Sequence, residues 1–145
     1  MTPNQFYVKL QSLQLQQIAT ESLSKHTDAI ADLTREQLMD GLDSNGNPLK
    51  MYKSDWYARM KQAMNARAGF GTPDLKLTGS FHESINVQIE GGNIITTAND
   101  PNDLENRYSE AGGNPLIMNS ATRAQLIEQH LYKTFIDAIQ AKIFS

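Results

Sequence analysis

INVQIEGGNIITTA, residues 85–98, decides the fold. Ile85, Val87 and Ile89 alternate with Asn86, Gln88 and Glu90, which gives one apolar and one polar face, the period-two pattern of a half-buried strand. Gly91-Gly92-Asn93 turns the chain, and residues 94–98 return as the antiparallel partner. On either side of this hairpin the apolar spacing changes to that of helices.

Upstream, Thr78-Gly79-Ser80 breaks the chain and residues 81–84 fit one helical turn. Gly79 is expected in a backbone conformation hostile to a Cβ, with Phe81 buried behind it. Residues 68–73, with two glycines and a proline, form a loop. Before it, Ser54 caps a predicted helix over 55–67, with Trp56, Met60 and Met64 at i, i+4, i+8. Asp43-Ser44-Asn45-Gly46-Asn47-Pro48 is a turn. Over residues 28–39, Ala29, Ile30, Ala31 and Leu33 suggest helix, and Thr34 with Gln37 fits a capping box; the expectation is a short helix running into a strand near 38–42. The opening segment reads as one helix over residues 3–25: Pro3 suits a first turn, and Phe6, Leu10, Leu13 and Ile18 recur at roughly helical spacing. His26-Thr27-Asp28 is a break with a new N-cap.

Downstream, Asp100 caps a short helix with Pro101 at its first position, running to about Tyr108. Gly112-Gly113-Asn114-Pro115 is a loop. Asn119 or Ser120 then caps a last helix over 120–143, with Ile127, Leu131, Phe135, Ile139 and Ile143 as its apolar stripe. Helices at both ends of a small antiparallel sheet define an α+β class. The expectation is one domain over residues 1–145, with an N-terminal helix (3–25), a central α+β part (28–110) and a C-terminal helix (120–143).

A chain of 145 residues suits one domain with a modest core, and 39% apolar residues is lean for it. Such a core suggests that neighbours supply part of the order. The net charge of −3 and pI near 5.5 argue against a protein built to grip phosphate backbones. With no cysteine, disulfides, thiolate metal sites and cysteine nucleophiles are excluded. No apolar run approaches a bilayer span, and the N-terminus has no secretory pattern, so the cytoplasm of the producing cell is the expected compartment.

Candidate chemistry is sparse. Asp43, Asn45 and Asn47 alternate in the manner of a calcium loop, but Pro48 and Ser54 stand where that loop needs Gly and Glu. His26, His82 and His130 lack partners at ligand spacing, apart from Glu83 beside His82. Ser80 or Ser84 with His82 and Glu83 gives a hydrolase set only without a nucleophile elbow and with its members unusually close in sequence. Gly69-Phe70-Gly71 and Gly91-Gly92 carry neither a Walker lysine nor a dinucleotide fingerprint. Lys50, Lys53, Arg59, Lys61 and Arg67 surround one helix, read first as a solvated face and second as a nucleic-acid patch. The expectation is therefore a protein with no catalytic residues, no metal and no cofactor. Trp56, next to Tyr57, is either core or an anchor in a subunit contact.

The motifs are more specific in order than singly. Asp43, Gly46, Pro48 and Leu49 are followed by Tyr52 and a basic helix; then come Leu75, Leu77, Thr78, Gly79, Phe81, Ser84 and Ile85; then two strands; then Tyr108, Glu110, Gly112 and Pro115, and a terminal helix. This series, spanning residues 38–143, resembles the virion-morphogenesis, tail-completion and neck proteins of long-tailed bacteriophages. The acidic stretch before Tyr108 and the glutamine-rich opening helix depart from that pattern. The resemblance implies a small non-enzymatic subunit that assembles as a homo-oligomeric ring at the head–tail junction or upper tail. It also implies contacts with connector or portal-associated and tail tube proteins, and location in the virion after assembly in the host bacterial cytoplasm. DNA would pass through without specific binding, and no membrane is involved. The segments around Tyr52 to Trp56 and Tyr108 to Pro115 are expected at the subunit interface, with Trp56, Tyr52, Tyr108, Glu110 and Pro115 as contact residues. The alternative is a nucleic-acid-binding accessory protein using the basic 50–67 region.

Overall fold

The computed structural model describes residues 1–76, 79–100 and 103–144. The fold is α+β: a two-stranded antiparallel sheet set among helices. Helix α1 spans Pro3–Ser12, α2 Leu15–Ser24, α3 Thr27–Met39, α4 Asp55–Met64 and α5 Ser80–Glu83; strands β1 (Asn86–Glu90) and β2 (Asn93–Thr97) follow, then α6 (Leu104–Ala111), α7 (Ser120–Leu126) and α8 (Tyr132–Ile143).

The hairpin forms as its alternation requires. Val87 pairs with Thr96 and Glu90 with Asn93, closed by Gly91 and Gly92 at φ 56° and 84°. Positive φ at both turn positions matches the right-handed strand twist, and glycine meets that demand without steric cost. Val87 and Ile85 are buried, Ile89 half-buried. Gly79 adopts the left-handed region, with φ 88°, and Phe81 is buried, as the sequence requires. Thr78, expected in the chain break, and Pro101, expected in a first helical turn, lie outside the described residues.

Helix α3 runs through the centre. Ile30, Leu33 and Leu38 pack with Leu49, Phe81, Ile85, Val87, Leu116, Met118 and Leu126 into one core. Burying each large aliphatic side chain contributes about 1.5–3 kcal/mol. Three expectations need correction here. Thr34 is not an N-cap: it lies inside α3, where its hydroxyl donates to the Ile30 carbonyl at 2.8 Å. No strand follows at 38–42; α3 continues to Met39, and Leu42 makes only an isolated bridge with Pro48. The opening helix over 3–25 is two helices, because Leu13 turns extended (φ −68°, ψ 130°) and Gln14 is not helical. α1 is begun by a full capping box between Thr2 and Gln5, yet it buries no residue.

The terminal helix is capped by Asn119, whose side chain accepts from the Thr122 N–H at 2.9 Å. It runs to Ile143, but Ile127–Leu131 is a π-helical segment between α7 and α8. Such a turn inserts one extra residue and advances the side-chain phase. Thr122 and Leu126 are buried before it, and Leu131, Phe135, Ile139 and Ile143 carry the stripe after it, five residues on from Leu126. Ile127, expected on that stripe, is instead 51% exposed.

Candidate functional site

The segments that carry the ordered motifs are held together by hydrogen bonds. Asp43 is buried, and its Oδ1 accepts from the Asn45 and Asn47 N–H groups at 2.8 and 3.0 Å, which folds the turn around Gly46. Its Oδ2 accepts from the Gly113 N–H at 3.1 Å and so ties this turn to the Gly112-Gly113 loop. A Cβ on Gly113 would come within 2.5 Å of Ser44 Oγ and 3.1 Å of Asp43 Cγ, so a side chain there would displace Ser44 and crowd the Asp43 carboxylate. Gln37, buried on α3, closes the same region. Its Nε2 donates to the Ile117 carbonyl at 2.9 Å, and its Oε1 accepts from the Asn119 N–H at 2.9 Å.

A second network centres on Asp74. Lys61 Nζ is 2.7 Å from Asp74 Oδ1, with both side chains almost fully buried, and it also donates to the Lys76 carbonyl. Asp74 Oδ2 accepts from Asn65 Nδ2 at 2.8 Å, and Oδ1 from the Lys76 N–H at 2.9 Å. Burial alone would raise the Asp74 pKa; the bonds from Lys61, Asn65 and Lys76 outweigh it and hold the carboxyl below its ordinary range. The Asp74 carbonyl meets His82 Nε2 at 2.6 Å, so that nitrogen donates. Burial pushes the His82 pKa down, which favours the neutral ring.

An open cleft of about 410 Å³ is lined by Lys50, Met51, Tyr52, Lys53, Arg107, Tyr108 and Glu110. Tyr52 and Tyr57 meet edge to face, with ring centroids 4.8 Å apart. Burial, followed for Tyr52 by the nearby Asp74 carboxylate, pushes the Tyr52 and Tyr108 phenols up, so both stay protonated donors at neutral pH. The Tyr52 main chain is fixed by its N–H donating to the Gly71 carbonyl at 2.8 Å.

Of the five residues expected at a subunit contact, the structure brings Tyr52, Tyr108 and Glu110 together in this cleft. Trp56 stands on α4, 73% exposed. Its helix turns the Ala58–Lys61 face inward instead of the Trp56–Met60–Met64 stripe, and Met64 is exposed as well. Pro115 is fully buried in the chain's own fold and offers a partner no surface.

The basic region is also redistributed. Lys61, read as part of a solvated face, is buried against Asp74, and Arg67 is paired with Glu36 at 2.7 Å and Asp40 at 3.0 Å. Lys50, Lys53 and Arg59 remain exposed.

The His82, Glu83 and Ser84 cluster does not converge. Ser84 Oγ donates to the Phe81 carbonyl at 2.8 Å and accepts from the Asn99 N–H, while His82 turns to Asp74 and Glu83 faces solvent. The fold does bring His26 and His130 together, rings 5.6 Å apart, with His26 Nε2 2.6 Å from Thr134 Oγ1. Among the described residues no group of three or more metal-ligating side chains forms, and no helix is long and apolar enough to cross a membrane.

Sequence reasoning misses Gln37 and the Lys61–Asp74 pair. The Ala58–Lys61–Asn65 spacing is the available signal for the pair, but the larger apolar residues on the opposite face mask it. Comparisons with protein-family models, curated proteins and solved structures returned no match for this chain.

Proposed function

We propose that this chain is a non-enzymatic structural subunit of a tailed bacteriophage virion, forming a ring at the head–tail junction or upper tail as a tail-completion or terminator-like protein. The observation that carries the reading is the convergence of the resemblance-bearing segments. The Asp43 turn is bonded to Gly113, and Asp74 stands between Tyr52 and His82. This spends the polar motif residues on architecture and leaves Tyr52, Tyr108 and Glu110 on an open cleft, with Trp56 exposed on α4. Aromatic side chains placed this way suit anchors in a subunit contact. A head-to-tail contact whose rotation closes makes a ring. The cleft and the exposed Trp56 are the surfaces assigned to that contact, and the overall charge of −3 suits a channel that DNA crosses without being held.

The test is light scattering on the purified chain, alone and with connector and tail tube proteins of the same virion. The expected result is a large oligomer, or entry into one, and its loss in Trp56→Ala with Tyr108→Ala while the melting curve is unchanged. A monomer under all these conditions that binds an oligonucleotide through Lys50, Lys53 and Arg59 would favour the nucleic-acid alternative.

A further inference from the structure

Among the described residues, helices pack against the hairpin chiefly at β1. β1 lies against α2 and α3, and Arg35 Nη2 donates to the Ile85 carbonyl at 3.3 Å on that side. β2 has β1 as its neighbour, and no helix packs comparably against it among the described residues. Glu90 and Asn93 close the turn as a hydrogen-bonded pair, so along β2 the main-chain groups alternate inward at Asn93, Ile95 and Thr97 and outward at Ile94 and Thr96. Among the described residues, no main-chain hydrogen bond beyond the hairpin reaches Ile94 or Thr96.

An open edge is a template for another strand, and proteins usually blunt it with a lysine, a proline or a bulge. Residues 93–97, NIITT, carry none of these.

We propose that this edge is a contact between two copies of the chain, with β2 pairing antiparallel to β2 of a second copy about a two-fold axis at Ile95. Three features select a second copy. Centred on Ile95, the outward-facing Ile94 falls opposite the second copy's Thr96, so the free N–H and C=O groups of both copies match. The segment carries no charge, so self-pairing sets no like charges opposite one another. Ile95, 37% exposed and apolar on the solvent face, meets its own counterpart and is covered. The product is a four-stranded sheet, which adds a second set of cross-strand pairs to each hairpin. The pairing is isologous and closes on itself. It therefore uses a different surface from the cleft and does not depend on the ring assignment.

The chain has no native cysteine, which makes the test direct. Position 95 would face its own copy across a non-hydrogen-bonded pair, where Cα atoms lie about 4.5 Å apart, within disulfide reach. Under mild oxidation, Ile95→Cys should give a covalent dimer on a non-reducing denaturing gel. Asn93→Cys and Thr97→Cys should each stay single-chain alone and cross-link when mixed, because those two positions face each other across the axis. Amide exchange gives a second readout: Ile94 and Thr96 should be protected in the native chain and lose that protection in Ile95→Lys. A single-chain band for Ile95→Cys, self-linking of Asn93→Cys as fast as that of Ile95→Cys, or unchanged exchange in Ile95→Lys would overturn the proposal. A ring without this contact gives the ring mass and no covalent dimer from Ile95→Cys, and a pair without a ring gives the reverse, so the two failures are distinguishable.

Discussion

Asp43 shows how one side chain organises a surface it does not itself present. Its two carboxylate oxygens accept three main-chain N–H groups from two segments about seventy residues apart. Asp43→Ala removes all three bonds and leaves the buried Gly113 N–H unpaired, so a loss of about 3 kcal/mol is expected in urea unfolding. The Lys61–Asp74 pair behaves differently. Lys61→Ala strands a buried carboxylate and should cost about 3–5 kcal/mol, whereas Lys61→Met with Asp74→Leu should cost less than the single change, because an apolar pair leaves no charge unpaired. The same site sets a pH dependence. His82 has its folded pKa lowered from 6.5, so the unfolded chain binds the proton first, and stability falls as pH drops below 6.5. Asp74 has its folded pKa lowered from 3.8, and its contribution, complete above that value, is lost on further acidification. Melting temperature should therefore decline between pH 7 and pH 5 in the native chain, and His82→Gln should flatten that part of the curve. An identical decline in the variant would assign it to other groups.

At the scale of elements, the hairpin is the most legible part of the chain, because alternation, a Gly-Gly turn and a second apolar run agree. The Asp43 turn and the Ser54 and Asn119 caps are legible for the same local reason: their side chains bond main-chain groups two to four residues away. What cannot be read depends on distant packing. Leu13 continues the apolar spacing of the opening helix, so nothing local marks the break there. Thr34 and Gln37 fit a capping box by type, but Gln37 serves residues about eighty positions away. The phase change at the π-helical turn is invisible to a pattern that assumes a constant period. In the candidate site, motif order singles out Tyr52, Tyr108 and Glu110, which line one cleft, along with Pro115, which is buried, because that order does not say which side of a loop is buried. Two outcomes test the element assignments. Val87→Asp should cost several kcal/mol, roughly the effect of an unpaired buried charge, and a variant with unchanged melting would contradict the strand's packing. Deleting residues 1–13, which removes a helix with no buried side chain, should leave the melting temperature within a few degrees.

For the whole molecule, a lean core coexists with exposed apolar side chains at several separate places: Tyr7 and Val8 on α1, Trp56 on α4, Ile95 on β2, Ile127 and Tyr132 on the terminal helix, and Phe144 just past its end. Trp56, together with the Tyr52–Tyr108–Glu110 cleft, is the surface proposed for the ring contact. The most direct measurement is electron microscopy of phage particles produced with this chain carrying Trp56→Ala and Tyr108→Ala, alongside melting of the purified variant. The expected result is native-like melting with heads and tails that fail to join or tails left incomplete. Intact virions with normal tails from a folded variant would contradict the ring assignment.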